Sequence, residues 1–231
     1  AVGAQEQVAA LADRAAAHIP LDDSYAVPRL LERLRAVGAE EQVAALADRA
    51  AAHIPLDDPH AVAGLLGSLG AVGAQEQATA LLRRDPAAHV SLCDPVAVAR
   101  LLSRLRAAGA EEQATALLRR DPAAHVCLRD PRAVARLLGR LRAAGAEEQA
   151  TALADRAAAY TPLYDSRAVA TLLASMRAAG AGEETVVLAD RLPGAGMFEL
   201  FCALEGHQNR FRYGREVDGS PAEPWSWEDL D

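Results

Sequence analysis

An all-α fold, an α-solenoid of about five to six two-helix repeats with a small irregular or β-hairpin C-terminal cap, follows from three observations on the 231-residue sequence. A glycine returns at Gly3, Gly38, Gly73, Gly109, Gly145 and Gly180, with spacings of 35, 35, 36, 36 and 35 residues. Between successive glycines runs an apolar stripe of helical period. An Asp opens each stripe. Periods of this length belong to stacked supersecondary units, each touching only its neighbours.

The first helix of each unit, helix A, begins at Asp23, Asp58, Asp94, Asp130 and Asp165, each followed by Ser or Pro. An Asp side chain caps the free N–H groups of the first turn, and Pro is tolerated at the first helical position. Each cap contributes about 1 kcal/mol. The stripe then reads Val, Leu, Leu, Leu at i, i+3, i+4 and i+7, as in Val27, Leu30, Leu31 and Leu34, or Val98, Leu101, Leu102 and Leu105. That spacing places the four side chains on one helical face. The glycine ends helix A because it can adopt the left-handed conformation at no Cβ cost.

Helix B starts at once, with acidic first turns such as Glu40, Glu41 and Glu111, Glu112. So short a connection forces an antiparallel hairpin. Helix B carries a thinner stripe, Val8, Leu11, Ala12 and Ala15 in the first copy, whose small residues let helices approach closely. Residues 1–23 return at 36–58 with one change. Two copies differ: Pro86 and Pro122 fall inside helix B, where Asp85 and Asp121 can recap the chain, so a kink or break is expected there.

Composition agrees with this plan. Of 231 residues 55 are Ala, and all 24 basic residues are Arg, a bias of GC-rich coding rather than a sign of phosphate binding. Residues 197–231 hold three Arg against eight acids (−5), leaving 21 Arg against 24 acids (−3) in residues 1–196. The expected organisation is therefore a nearly neutral array over 1–192 and an acidic, aromatic-rich segment over 193–231. Cys93, Cys127 and Cys202 form no CxxC pair and are odd in number, which argues against a disulfide framework and a zinc site and for a reducing cytoplasm. Ala1 is not an initiator Met and falls near the end of what should be a helix A. The chain thus reads as a fragment of a parent with repeats or other domains upstream.

No phosphate loop, dinucleotide fingerprint, HExxH helix or nucleophile elbow is present. The reading is non-enzymatic, with no cofactor. His18, His53, His89 and His125 recur near the end of helix B, with Tyr160 in the fifth copy. Stacked helices lie about 8 to 10 Å apart, too far for successive imidazoles to share one ion. A helix C-terminus accounts for them. The outer face of helix A carries Arg29 and Arg33, Arg100 and Arg104, Arg136 and Arg140, interrupted by Gly64 and Ser68 and by Thr171 and Ser175. Beside them one position varies among copies: Tyr25, His60, Val96, Arg132 and Arg167. The six arginines of that face, with Tyr25, His60, Arg132 and Arg167, form the candidate partner-binding surface. Six of nine aromatics follow residue 196. Of these, Phe198 and Phe201 belong to a last helix within MFELFCAL, Asp218-Gly219 suggests a turn, and Trp225 and Trp227 form a candidate docking motif if they do not cap the array.

The LL..L...G signature followed by EE.A resembles the helical-hairpin class that includes tetratricopeptide and pentatricopeptide repeats, over residues 1 to 190. The pentatricopeptide resemblance implies single-stranded RNA binding, read by a polar residue two places before the paired Leu. Here those places hold Pro28, Ala63, Ala99, Ala135 and Ala170, which cannot hydrogen-bond a base edge through their side chains. The whole chain, with GMFELF and PWSWEDLD near its end, also resembles Ala-rich repeat regions at the C-terminus of large actinobacterial proteins. The expected role is a scaffold binding a protein or peptide along helix A, with single-stranded nucleic-acid binding or a purely architectural spacer or oligomerisation module as alternatives. No membrane association is expected.

Overall fold

The structure, a computed structural model, describes residues 2–23, 25–204, 213 and 222–223, and these are all-helical, with no strand among them. The helices are α1 (Val2–His18), α2 (Ala26–Ala36), α3 (Glu40–His53), α4 (Pro59–Val72), α5 (Gln75–Arg83), α6 (Pro86–His89) and α7 (Pro95–Ala107). They continue with α8 (Glu111–Arg119), α9 (Pro122–His125), α10 (Pro131–Ala143), α11 (Glu147–Tyr160), α12 (Ser166–Ala178), α13 (Gly182–Arg191) and α14 (Phe198–Ala203), with a 3-10 turn at Pro193–Ala195. Contacts group them into two compact units, Ala1–Cys127 and Leu128–Asp231.

The caps follow the side chains closely. Asp58 accepts from the His60 N–H, Asp94 from Val96 and Ala97, Asp130 from Arg132, and Asp165 from Arg167 and Ala168. In the first copy helix A begins only at Ala26, yet the Asp23 carboxylate still accepts from the N–H groups of Tyr25 and Ala26. At the other end Gly38, Gly73, Gly109, Gly145 and Gly180 have φ between 69 and 79°. The next residue then donates back to the last apolar residue of the stripe: Ala39 to Leu34, Ala74 to Leu69, Ala110 to Leu105, Ala146 to Leu141 and Ala181 to Met176, at 2.9 to 3.0 Å. This is a Schellman closure. Gly3 departs from the pattern and lies inside α1.

The prolines break helix B as expected. Asp85 and Asp121 take left-handed conformations at φ 53 and 51°, and the short helices α6 and α9 restart after them. Recapping differs between the two. The Asp121 carboxylate accepts from Ala124 N–H, whereas the Asp85 carboxylate does not cap α6; at the first position of that turn, Gln113 of the following hairpin accepts from Ala87 N–H.

In residues 1–127, α2, α4 and α7 pack side by side in chain order, as do α1, α3 and α5, and each helix A packs on its own helix B. In residues 128–231, α10 packs on α12, α11 on α13, and the pairs α10–α11 and α12–α13 close on each other. The cores are the Leu stripes: Leu31, Leu65, Leu69, Leu101, Leu105, Leu137 and Leu172 are fully buried. Burying a Leu contributes roughly 1.5 to 3 kcal/mol. Among helix B leucines, Leu46, Leu81, Leu117, Leu153 and Leu188 are fully buried, but Leu11 in α1 is 57% exposed. The stripe read for the first copy is therefore only partly covered. In the terminal segment Phe201 is fully buried while Phe198 is 44% exposed. The Asp218-Gly219 turn, and with it most of the expected cap beyond residue 204, lies outside the described residues.

Candidate functional site

The Leu stripe decides where the arginines go. With Val27, Leu31 and Leu34 turned into the core, Arg29 and Arg33 fall on the open side of α2 and are exposed. The same register exposes Arg100 and Arg104 on α7, and Arg136 and Arg140 on α10. None of these six guanidinium groups makes a hydrogen bond or ion pair with a described residue. Between α2 and α7 lies α4, whose corresponding Gly64 and Ser68 are buried. The Arg104 guanidinium closes over α4 at Gly67, where a Cβ would stand 3.0 Å from its Nε and Cζ atoms. Helix α4 is thus a small-residue floor between two arginine-bearing helices. In the second unit Thr171 and Ser175 occupy the equivalent places on α12, and the Thr171 hydroxyl donates to its own helix at Arg167 O.

The variable position beside the cap has two uses. Tyr25 is 59% exposed, and Arg167 is exposed as well. His60 instead reaches the next hairpin's cap, Nε2 lying 2.9 Å from Asp94 Oδ2, and Arg132 does the same to Asp165 at 3.2 Å. Each of these Asp residues caps with Oδ1 and is bridged through Oδ2. Burial pushes the Asp94 carboxyl up, but the His60 hydrogen bond, the Ala97 and Val96 N–H groups and the His60 charge outweigh it. Its pKa is held below the ordinary carboxylate value. Asp165 is lowered too, chiefly by the Ala168 N–H, against slight desolvation, with the Arg132 charge and Arg167 contributing. Two residues of the predicted surface therefore join successive helices A.

A second arginine register, not singled out from the sequence as a site, laces the B side. Arg84 donates to the carbonyls of Ala51 and Ile54 at 2.9 and 2.8 Å, and Arg120 to those of Ala87 and Val90 at 2.7 and 2.8 Å. Arg49 does the same to Ala17 and Ile19, and Arg191 to Ala158 and Thr161. Each guanidinium satisfies the orphan carbonyls at the end of the preceding helix B. A neutral companion runs beside it: Gln42 donates to Asp13 and Gln77 to Asp48, at 2.7 and 2.8 Å. These links rim shallow Ala-floored grooves, one including Ala16, Ala17 and Ala45 and its counterpart including Ala51, Ala52 and Ala80. The signal was present in the sequence, because Arg recurs at 49, 84, 120, 156 and 191.

The histidines His18, His53, His89 and His125 are exposed at helix ends, and His125 Nδ1 lies 2.9 Å from Asp121 O. Among the described residues no three His, Cys, Asp or Glu side chains converge as metal ligands. Cys93, Cys127 and Cys202 carry free thiols. No described helix is long and apolar enough to cross a membrane. Of the positions that would read bases in a pentatricopeptide protein, Ala63, Ala99 and Ala135 are buried and Pro28 and Ala170 half-buried. Trp225 and Trp227 lie outside the described residues. No protein family, no curated protein and no solved structure matches this chain.

Proposed function

We propose that the chain is a non-enzymatic scaffold: an α-solenoid of about five to six hairpins with an aromatic-rich terminal segment, binding an acidic protein or peptide segment along helix A. One observation carries the reading. The guanidinium groups of Arg29, Arg33, Arg100 and Arg104 are exposed and make no bond to a described residue, on either side of a helix floored by Gly64 and Ser68. The arginines of the B side, by contrast, are engaged in holding successive helices together. An extended acidic segment laid across α4 meets guanidinium groups from both neighbours, which suits the bidentate recognition of carboxylates by Arg.

Panning a random peptide library on the intact protein tests this. Enriched peptides should be acidic, bind less tightly as salt is raised, and lose affinity to a variant carrying Arg29→Glu, Arg33→Glu, Arg100→Glu and Arg104→Glu. Peptides that bind both forms equally would sink the assignment. Single-stranded nucleic acid is the second reading, since the same free guanidinium groups suit phosphates. Anisotropy with a labelled oligonucleotide at about 50 mM salt checks it, because binding through phosphates weakens steeply as salt rises. If neither ligand binds and light scattering gives a defined multimer, the role is architectural.

A further inference from the structure

The linkers that lead from each helix B to the next helix A share one place, which holds Pro20, Pro55, Ser91, Cys127 and Pro162 in turn. Proline has no N–H to give. Where another residue replaces it, the linker bonds to the one before: Ser91 N–H donates to Asp57 O, and Cys127 N–H to Cys93 O, both at 2.8 Å. In the second of these rungs both partners are cysteines. They follow α6 and α9, the short helices restarted after Asp85 and Asp121, and both fall within the compact unit Ala1–Cys127.

That backbone bond sets the spacing of two thiols. An N–H···O bond between two residues holds their Cα atoms about 5 to 6 Å apart, inside the range of about 4.4 to 6.8 Å that a disulfide spans. Neither residue is helical, so no preceding turn restricts its χ1. Both thiols are free, Cys93 exposed and Cys127 half-buried, so Cys93 is the one an oxidant meets first. Cys202 lies in the other unit and shares no such rung among the described residues.

We propose that Cys93 and Cys127 form an oxidation site, closed to a reversible disulfide by a peroxide. The Cys93 thiolate attacks one peroxide oxygen, the O–O bond breaks, and the other oxygen leaves as water, giving a sulfenic acid. The Cys127 thiolate then attacks the Cys93 sulfur, the S–S bond forms, and the sulfenic oxygen leaves as a second water. Two thiols lose two electrons and two protons, and the peroxide takes up both. A dithiol reductant returns the pair to thiols. The bond closes the chain around α7, α8 and α9, and so staples together the two hairpins whose B helices are interrupted. A pair that is open in a reducing compartment and closes under peroxide is the transient, redox-sensing kind of disulfide.

The test treats the full chain with hydrogen peroxide and then blocks the remaining thiols. Its mass before blocking should fall by about 2 Da, the two hydrogens lost. Trypsin should release residues 85–100 and 121–129 as one species that dithiothreitol separates. The urea midpoint should rise on oxidation and return on reduction, since the cross-link restrains the unfolded chain. Cys127→Ser puts in this linker the residue that Ser91 already supplies in the preceding one, so the fold is kept. In that variant the Cys93 sulfenic acid has no thiol to resolve it, and dimedone should label it about tenfold more than in the parent. Absence of the linked species overturns the proposal, as does equal dimedone labelling of the two forms. A disulfide that instead joins two chains, or that engages Cys202, overturns it as well.

Discussion

Arg84 and Arg104 are the same side chain put to opposite uses. Arg84, half-buried on the B side, grips the carbonyls of Ala51 and Ile54 on the preceding helix B; Arg104, on the open side of helix A, lies over Gly67 and its guanidinium bonds no described residue. Composition cannot distinguish them. What separates them is whether a helix end, with its unpaired carbonyls, stands within reach of the guanidinium. The lesson is that an arginine in a repeat protein is to be assigned by what its neighbouring hairpin leaves unsatisfied, not by charge alone.

The comparison can be broken most directly at the clamp. Arg84→Ala and Arg120→Ala each leave two part-buried carbonyls without a charged donor, so urea denaturation should show a loss of about 2 kcal/mol. Arg29→Ala and Arg100→Ala should stay within about 0.5 kcal/mol of the parent. If the helix A variants cost as much as the clamp variants, the division of labour fails.

A smaller effect concerns the bridged caps. Asp94 and Asp165 have pKa values held below the ordinary range, so their ionised form stabilises the fold at neutral pH. That contribution is fully present above the unfolded pKa and is lost as pH falls through the folded one. Urea midpoints should therefore drop on acidification from about pH 5 to about pH 2. The double variant Asp94→Asn, Asp165→Asn should begin lower at neutral pH and change less; an identical acid profile would remove these carboxylates from the account.

The smallest effect is expected at Gly67. A methyl there would meet the tip of Arg104, a flexible group able to move aside, while Ala is the better helix former. Gly67→Ala should raise stability by about 0.5 kcal/mol and, by displacing Arg104, weaken capture of acidic peptides. A loss of stability instead would mean that Arg104 is held over α4 as firmly as Arg84 is held in its clamp.

Much of the helical framework was legible because its causes are local. An Asp before Pro or Ser, a Gly after a Leu stripe and a Pro inside a helix each act within four or five residues, and each acts as read at Asp58, Gly109 and Pro122. The exceptions were non-local. Leu11 has the sequence context of Leu46 yet stands half in solvent, because the packing partners differ. His60 and Arg132, read as outward-facing, bridge to Asp94 and Asp165, because the next cap leaves one carboxylate oxygen open within reach. Asp85 does not repeat the side-chain cap of Asp121: the Ala88 N–H, counterpart of the Ala124 N–H, bonds the Asp85 backbone carbonyl and not its carboxylate.

By itself the sequence determined the all-helical class, the ends of most helices and which side of each helix A is apolar, since backbone propensity, capping and periodicity are properties of neighbouring residues. Only the tertiary structure decided which arginines clamp and which stay open, which Asp residues are bridged, and which leucine is left uncovered. Each of those depends on a partner about one repeat away, whose distance no local pattern encodes.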